Sequence, residues 1–262
     1  MTSMKKTITV GVLILAATMA MQANAMIRHV FITEPPVSNE QFDPWYASVH
    51  SQECLRYFGP WLMRYQAWHA KVMPPEARRP DAYKGRYMEL WYDSVEAWKE
   101  AAPLGHTYSS PPWGSISNPQ KPGASLIVPA VPTENFLGKP EPPPSQGPYF
   151  RFIFAMKYPE GVSEEEGEKW YLNYHSQEAK LFPGLLRYVS YKVVPNSPVH
   201  SGWVRLGEMW YKDYDTWKKA VENPKYTAPA WAAQGKPWLE VVTIFNTTAP
   251  DFDYLKGPGS VR

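Results

Sequence analysis

The sequence contains almost no cysteine. Its one thiol, Cys54, cannot form a disulfide within the chain, so the apolar core must stabilise the fold. Cys54 follows Glu53 in a helical pattern, and the corresponding residue of the repeat described below is Ala179. A catalytic thiol is the alternative, but this difference between the repeats favours a buried structural thiol.

The motifs of several large enzyme classes are also missing. No G-x-G-x-x-G, P-loop or G-x-S-x-G pattern occurs, which disfavours nucleotide-dependent chemistry and serine hydrolysis. The six histidines show no H-x-H or H-E-x-x-H spacing, so no dedicated metal site is predicted. We therefore expect no cofactor, although a haem, which needs only one histidine, is left open.

The sequence has little excess charge of either sign. It contains 27 Lys and Arg residues against 25 Asp and Glu residues, and two of the lysines lie within residues 1–25. The remainder is balanced, which gives no reason to expect binding to nucleic acid or to anionic lipid.

The first 25 residues resemble an export signal. Lys5 and Lys6 precede an apolar run over residues 8–21, and the segment ends in Ala23-Asn24-Ala25. This pattern predicts a secretory signal peptide cleaved after Ala25, hence a periplasmic or secreted protein without membrane contact after signal removal. The alternatives are an uncleaved membrane anchor, or translation from Met26 and a cytoplasmic protein.

Aromatic residues, in contrast, are abundant. They make up 15% of the chain, with 12 Trp and 17 Tyr. Such a content is typical of an aromatic-lined ligand cavity or a wide interface, although a purely structural core would also use it.

The strongest pattern is a repeat. Residues 45–53, W-Y-A-S-V-H-S-Q-E, match residues 170–178, W-Y-L-N-Y-H-S-Q-E, at six of nine positions and an offset of 125. Further matches follow, such as Arg64-Tyr65 with Arg187-Tyr188 and Glu89-x-Trp91 with Glu208-x-Trp210. Because the offset changes only in small steps, we interpret the chain as a tandem duplication with loop-sized insertions.

Each half has strand and helix signals in the order β-α-β-β-α-β, which is typical of a ferredoxin-like domain. The predicted fold class is therefore α+β. Residues 26–131 and 149–247 form the two domains, 132–148 a Pro-rich extended linker, and 248–262 a tail that is mobile or draped over the surface. A four-stranded sheet with helices on one face leaves its other face bare. We expect the two bare faces to meet in a barrel within one chain.

These residues resemble the EthD family of the dimeric α+β barrel superfamily. The resemblance rests on W-Y-x-x-x-H-S-x-E, on Phe182-Pro183-Gly184 with the following Leu-Leu-Arg-Tyr, and on the Glu-x-Trp-Tyr strand ends, over residues 27–247. The first copy departs from it at Phe58-Gly59-Pro60, where Pro and Gly are inverted. The superfamily implies an interior ligand cavity. It includes cofactor-free monooxygenases, isomerases, cyclases, dehydratases and haem proteins such as chlorite dismutases, so the fold leaves the reaction open.

One set of side chains on the repeated helix suits acid–base chemistry. An imidazole is the natural general base, a carboxylate three residues later could fix its tautomer, and a tyrosine four residues earlier could donate to an oxyanion. The predicted catalytic residues are His50, His175, Tyr46, Tyr171, Glu53 and Glu178. Because both halves keep these residues, the alternative is a scaffold role for the histidines.

A second set is predicted to bind the ligand. It comprises aromatic and polar residues of the helices, strands and late loops: Trp45, Trp170, Tyr65, Tyr188, His69, Glu89, Glu208, Tyr108 and Tyr226. His69 is expected to point into the barrel. A carboxylate at this depth needs a partner, so each glutamate either pairs with Arg64 or Arg187 or has a raised pKa.

Together these features predict an exported, cofactor-independent lyase, isomerase or dehydratase. Its partner would be a small hydrophobic, aromatic or terpenoid-like compound, and the chain would be a monomer or a homodimer. A non-catalytic periplasmic carrier and a haem-binding oxidoreductase are the alternatives.

Overall fold

The computed structural model describes residues 26–74, 79, 81–138, 147–197, 199 and 202–255. The predicted signal peptide, 1–25, lies outside these residues. The described strands form two antiparallel sheets. Their bounds are β1 Ile27–Thr33, β2 Leu62–His69, β3 Arg86–Tyr92, β4 Ala124–Pro129, β5 Glu134–Leu137, β6 Phe150–Lys157, β7 Leu185–Lys192, β8 Arg205–Tyr211, β9 Glu240–Thr247 and β10 Phe252–Leu255.

Two helices per half cover one face of each sheet. Helix α1 consists of Asn39–Trp45, a π-helical turn Tyr46–His50, and Ser51–Phe58; α2 is Val95–Ala101. In the second half, α3 consists of Glu164–Trp170, a π-helical turn Tyr171–His175, and Ser176–Ala179; α4 is Tyr214–Ala220. The two π-helical turns coincide with the repeated W-Y-x-x-x-H motif, so the duplicated sequence specifies the same helix irregularity twice.

The predicted α+β class and the β-α-β-β-α-β order of each half are confirmed. Each sheet has one strand more than predicted, in the orders β10-β2-β3-β1-β4 and β5-β7-β8-β6-β9. The extra strands are exchanged, because β5 from the predicted linker pairs with β7 and β10 from the C-terminal tail pairs with β2. The tail is thus not merely mobile or draped over the surface: residues 252–255 are an edge strand of the first sheet.

The two sheets close a barrel as predicted. Beyond the end of β2, the Lys71 amide donates to the Phe245 carbonyl over 2.6 Å, and beyond the end of β7, the Val194 amide donates to the Ile127 carbonyl over 2.9 Å. Backbone hydrogen bonds therefore join the sheets at two edges, and the faces without helices lie against each other.

Side-chain alternation along the strands separates three cores. Val30, Ile153, Leu206 and Ile244 belong to a core between the sheets, whereas Phe42 and Trp217 belong to separate cores between each sheet and its helices. The barrel interior is therefore filled along part of its length by aliphatic side chains. Cys54 is buried in the first helix-side core, where burial raises the pKa of its thiol to about 12, as suits a structural thiol.

Among the described residues, no helix is both long enough and apolar enough to cross a membrane.

Candidate functional site

A cavity of about 320 Å³ lies between the second sheet and its helices. We call it the helix-side cavity. Its walls come from β6, β8, β9, α3, α4 and the loops beside them, and they are mostly aromatic and aliphatic. The lining residues are Arg79, Phe152, Phe154, Trp170, His175, Phe182, Met209, Trp217, Val221, Pro224, Tyr226, Trp238, Leu239, Val241 and Thr243.

His175 brings an imidazole into this apolar wall. It ends the π-helical turn of α3, and its ring stacks on Tyr226 with centroids 4.5 Å apart and lies 4.9 Å from the Trp170 ring. Its Nδ1 atom is buried and has no hydrogen-bond partner. Burial lowers the pKa of His175 to about 4, with an opposing contribution from Glu178, so the ring is neutral at pH 7.

Trp217 of α4 also contributes a polar atom without a partner. The side chain is only 2% exposed, and its indole Nε1 is buried without a hydrogen-bond partner. In the first half, the equivalent Trp98 donates its indole N–H to His29 Nδ1 over 3.0 Å, and His29 Nε2 contacts Ser125 Oγ at 2.9 Å. The first half therefore satisfies this indole internally, whereas the second half provides no protein partner for it.

Two strand positions distinguish the halves beside this cavity. In β1 and β3, Phe31 lies opposite Met88, but in β6 and β8 the corresponding Phe154 lies opposite Gly207. Met88 is buried in the first helix-side core. In the second half the Phe154 ring, which lines the cavity, packs directly over Gly207, where an added Cβ would meet it at 2.2 Å.

The predicted hydrogen bond from histidine to the following glutamate does not form in either half. Glu53 accepts from the Ser109 amide over 2.9 Å and from its hydroxyl, and Glu178 accepts from the Thr227 amide over 2.8 Å and from its hydroxyl. The carboxylates hold the loop after the second helix of each half because that loop offers two donors at once. His50 packs edge-on against Tyr108 at 4.9 Å and beside Trp45 at 5.3 Å.

The helix tyrosines are also engaged elsewhere. Tyr171 shares a hydrogen bond of 2.8 Å with the hydroxyl of Tyr188, and Tyr46 bonds in the same way to Tyr65. These side chains are at most 1% exposed, and burial raises the pKa of Tyr171. They join helix to sheet and do not line the helix-side cavity. The assignment of the helix set as catalytic stays a prediction, for which the geometry favours His175 alone.

His69 does not point into the barrel. It lies on the helix side of β2, where Nε2 is 2.7 Å from Asp43 of α1 and Nδ1 is 3.0 Å from Asp251. Arg86 joins the same cluster through Asp43. His69 lies at the end of β2 and therefore connects α1 with the segment that leads into β10, the edge strand that pairs with β2.

A second cavity, of about 730 Å³, lies between the sheets and adjoins the inter-sheet core at Trp68 and Tyr191. We call it the inter-sheet cavity. Glu89 and Glu208 line it, but their partners are not Arg64 or Arg187. Glu89 pairs with Arg28 at 2.8 Å, and Glu208 lies 3.5 Å from Arg28 and 3.7 Å from Arg151. The prediction of pairing was right, but the predicted partners were wrong.

Pairing also decides the charge of Glu89. Burial alone would raise its pKa, but Arg28 and Arg151 hold that pKa below the usual value, and Tyr87 and Trp91 donate hydrogen bonds to the carboxylate over 2.6 and 3.0 Å. Glu89 is consequently an anion and not an acid with a raised pKa.

Among the described residues, His175 is the one histidine that lines the helix-side cavity and hence the one that could hold a haem there. A histidine that ligates a metal is normally oriented by a carboxylate or carbonyl that accepts its other ring N–H. No protein group pairs with His175 Nδ1, and the nearby Glu178 is bonded to Thr227. The residues present therefore do not fit a haem.

Comparisons with known proteins support the fold. No protein-family model matches the sequence, and no curated protein matches it either. The chain is similar to the solved structure of an anthrone oxidase-like protein, with a TM-score of 0.53, 12% identity, and coverage of 91% of this chain and 96% of that one. The protein has the dimeric α+β barrel fold. At 12% identity, this likeness shows the fold alone.

Other solved structures are more distant. A provisionally assigned monooxygenase from Fusobacterium nucleatum subsp. nucleatum has a TM-score of 0.43, 12% identity, and coverage of 88% and 98% of the two chains. A mutant chlorite dismutase from Candidatus Nitrospira defluvii in complex with cyanide has a TM-score of 0.40, 10% identity, and coverage of 86% and 91%.

Sequence reasoning placed Trp170, His175 and Tyr226 in the site but missed Trp217, Phe154 and Gly207. Trp217 and Phe154 are identical to Trp98 and Phe31 of the first half, so repetition alone does not distinguish them. The differences lie in their neighbours: Gly207 corresponds to Met88 at an offset of 119, and Phe152 corresponds to His29 at an offset of 123.

Proposed function

We propose that the protein is a cofactor-independent enzyme that removes a proton from a small hydrophobic, aromatic molecule bound in the helix-side cavity, with His175 as the base. One observation carries the proposal. A mostly apolar, aromatic cavity is lined by two side chains whose buried polar atoms, His175 Nδ1 and Trp217 Nε1, have no partner. Buried polar groups are rarely left unpaired in a protein, so a ligand that pairs with both is the natural explanation.

The chemistry follows from these two atoms. A neutral imidazole accepts a proton from an acidified C–H, and the indole N–H donates a hydrogen bond to the oxygen on which negative charge develops. As that charge appears beside the ring, the imidazolium form is stabilised and the low pKa of free His175 rises. Many lyase, isomerase and dehydratase reactions begin with such a proton transfer.

Exchange of the ligand's own hydrogen tests the proposal without an oxidant. Anthrone, the compound after which the similar anthrone oxidase-like protein is named, is a flat aromatic ketone with an acidified CH2 group, and it serves as the probe. We expect the protein to accelerate deuterium uptake at that carbon in D2O, followed by mass spectrometry. His175→Gln should lower the acceleration about 10²- to 10⁴-fold, and the matched His50→Gln should leave it unchanged. Equal losses in both variants would contradict the assignment of the base.

A non-catalytic carrier is the second candidate. It is favoured by one observation: Tyr171 and Glu178, which would be expected to assist His175, are bonded to Tyr188 and Thr227 instead. Saturable quenching of tryptophan fluorescence by anthrone, with deuterium uptake no faster than in buffer, would favour the carrier over the enzyme.

Export is a further part of the proposal. The basic, apolar and small-residue pattern of residues 1–25 supports secretion with cleavage after Ala25. N-terminal sequencing of the protein purified from its natural host should give Met26 as the first residue, with the protein outside the cytoplasm. A cytoplasmic protein that begins at Met1 would contradict export.

A further inference from the structure

The inter-sheet cavity contains a row of arginines that the proposed reaction does not use. Arg28 of β1 and Arg151 of β6 are equivalent in the two halves, and each lies in register with a tryptophan of the next strand, Trp91 and Trp210. Arg187 of β7 faces Trp210 from the other side. The three arginines are 3% to 5% exposed and line the same cavity.

The charges in this cavity do not balance. Three buried guanidinium groups, Arg28, Arg151 and Arg187, face two carboxylates, Glu89 and Glu208. Both carboxylates are shared by Arg28 and Arg151. One buried positive charge is therefore not compensated by these carboxylates, and burying such a charge is costly unless an anion neutralises it.

The difference between the two sheets identifies Arg187 as that charge. Arg64, its equivalent in the first sheet, is held by Asp253 of β10 through Nε at 2.9 Å and Nη2 at 2.5 Å. The exchanged strand β5 has Asn135 at the register position that corresponds to Asp253. Arg187 receives no carboxylate from that strand, and its Nε and Nη1 are buried without a partner.

The unpaired atoms also define the ligand's chemistry. Every buried side-chain polar atom that lacks a partner among the described residues lining this cavity is a donor: Arg28 Nε and Nη2, Arg151 Nη2, Arg187 Nε and Nη1, and Trp68 Nε1. Aromatic rings cover the guanidinium faces, with Tyr191 4.1 Å from Arg28, Trp68 4.4 Å from Arg151 and Trp210 5.0 Å from Arg187. The planar faces of the three guanidinium groups are thus covered by rings, and the N–H groups along their edges are the donors without a partner. Guanidinium N–H edges are the groups that bind a planar carboxylate.

We infer that the inter-sheet cavity binds a small organic carboxylate, with Arg187 as its main partner. The volume of about 730 Å³ accommodates a molecule of drug size. This site is separate from the helix-side cavity, because the two cavities lie on opposite faces of the second sheet and have no lining residue in common.

Calorimetry with benzoate tests the inference on the protein as purified from its host. We expect saturable binding of benzoate and at least about tenfold weaker binding of benzamide, its uncharged counterpart, because hydrogen bonds to charged groups are the stronger ones. Arg187→Met should weaken benzoate binding at least about tenfold. Arg56→Met removes the same charge from the exposed face of α1 and should change nothing.

Thermal unfolding separates a ligand site from a structural arginine. If Arg187 awaits an anion, Arg187→Met should unfold at the same or a higher temperature in the absence of ligand, because an unpaired buried charge has been removed. Benzoate should stabilise the wild type but not this variant. Gly207→Met, which narrows only the helix-side cavity, should retain benzoate binding, so failure of the proposed enzyme activity would not affect this result.

Three outcomes would overturn the inference. They are equal binding of benzoate and benzamide, unchanged benzoate binding in Arg187→Met, and saturation by inorganic phosphate without any binding of benzoate.

Discussion

The two halves of the chain share a helix motif but differ in what lies between helix and sheet. In the first half, Met88 is buried in the core, and His29 satisfies both Trp98 and Ser125. In the second half, the Phe154 ring packs over Gly207 and lines a cavity, and Trp217 keeps an unpaired N–H. The same histidine and tryptophan occur in both halves, so the residues around them, Met88 against Gly207 and His29 against Phe152, distinguish the candidate site.

His50 and His175 illustrate the point. Both end a π-helical turn, and burial lowers the pKa of each to about 4. Their surroundings differ, since only His175 lines the helix-side cavity and His50 packs against Trp45 and Tyr108. The same residue therefore packs against two aromatic rings in one half and is the proposed base in the other.

The largest expected effect is a loss of stability when the core of the first half is opened at Met88. Met88→Ala should lower the free energy of unfolding by about 2–5 kcal/mol, because it removes a buried side chain and leaves a void. Urea unfolding followed by circular dichroism measures it. Leu104→Ala, at a half-buried position of the same half, is the control and should cost less. A loss below about 1 kcal/mol for Met88→Ala would mean that Met88 does not fill this core.

Closing the open half should remove ligand binding. Gly207→Met introduces the first half's side chain where the Phe154 ring now lies, and so forces that ring, which lines the cavity, to move. We expect anthrone affinity to fall about 100-fold, which is roughly 2.7 kcal/mol. Fluorescence titration measures this, and the circular dichroism spectrum should be unchanged. Undiminished affinity in a folded variant would place the ligand elsewhere.

Loss of the two hydrogen bonds of His29 in the first half should lower the free energy of unfolding by less than Met88→Ala does. His29→Phe introduces the residue of the second half, Phe152, and leaves the Trp98 N–H and the Ser125 hydroxyl without their partner. Unsatisfied buried groups cost about 1–3 kcal/mol. Phe152→Leu breaks no hydrogen bond and should cost less than about 1.5 kcal/mol. If both substitutions cost the same, the His29 bonds contribute little.

The smallest effect concerns pH. Burial lowers the pKa of His29 from 6.5 to about 3. Between these two pH values the histidine is protonated in the unfolded chain but neutral in the folded chain. Stability is complete above pH 6.5 and falls as the pH falls. Between pH 6 and 5, the wild type should lose up to about 1.4 kcal/mol more than His29→Phe does. Parallel pH profiles from thermal melts would contradict the neutral, buried state of His29.

The sequence was sufficient for the architecture because repeats and strand alternation are local patterns. The motif W-Y-x-x-x-H recurs at a fixed offset, and each half carries the same order of elements. The exchanged strands β5 and β10 could not be foreseen, since each has only four residues and gains its hydrogen bonds from the edge of the other half's sheet.

The hydrogen-bond and ion-pair partners of side chains were harder to predict than the order of helices and strands. Glu53 and Glu178 could reach the histidine three residues earlier, yet each bonds to a loop 56 or 49 residues away that offers two donors. Glu89 and Glu208 had several candidate arginines on neighbouring strands, and only the sheet register selects Arg28 and Arg151. Such choices depend on the assembled barrel and not on spacing along the chain.

Xenon binding to crystals of the protein tests the central comparison most directly, because xenon fills apolar cavities without any assumption about the natural ligand. The account predicts a xenon atom in the helix-side cavity beside Phe154 and Met209, and none at the equivalent place beside Phe31 and Leu90. Equal occupancy in both halves, or xenon in the first half alone, would contradict it.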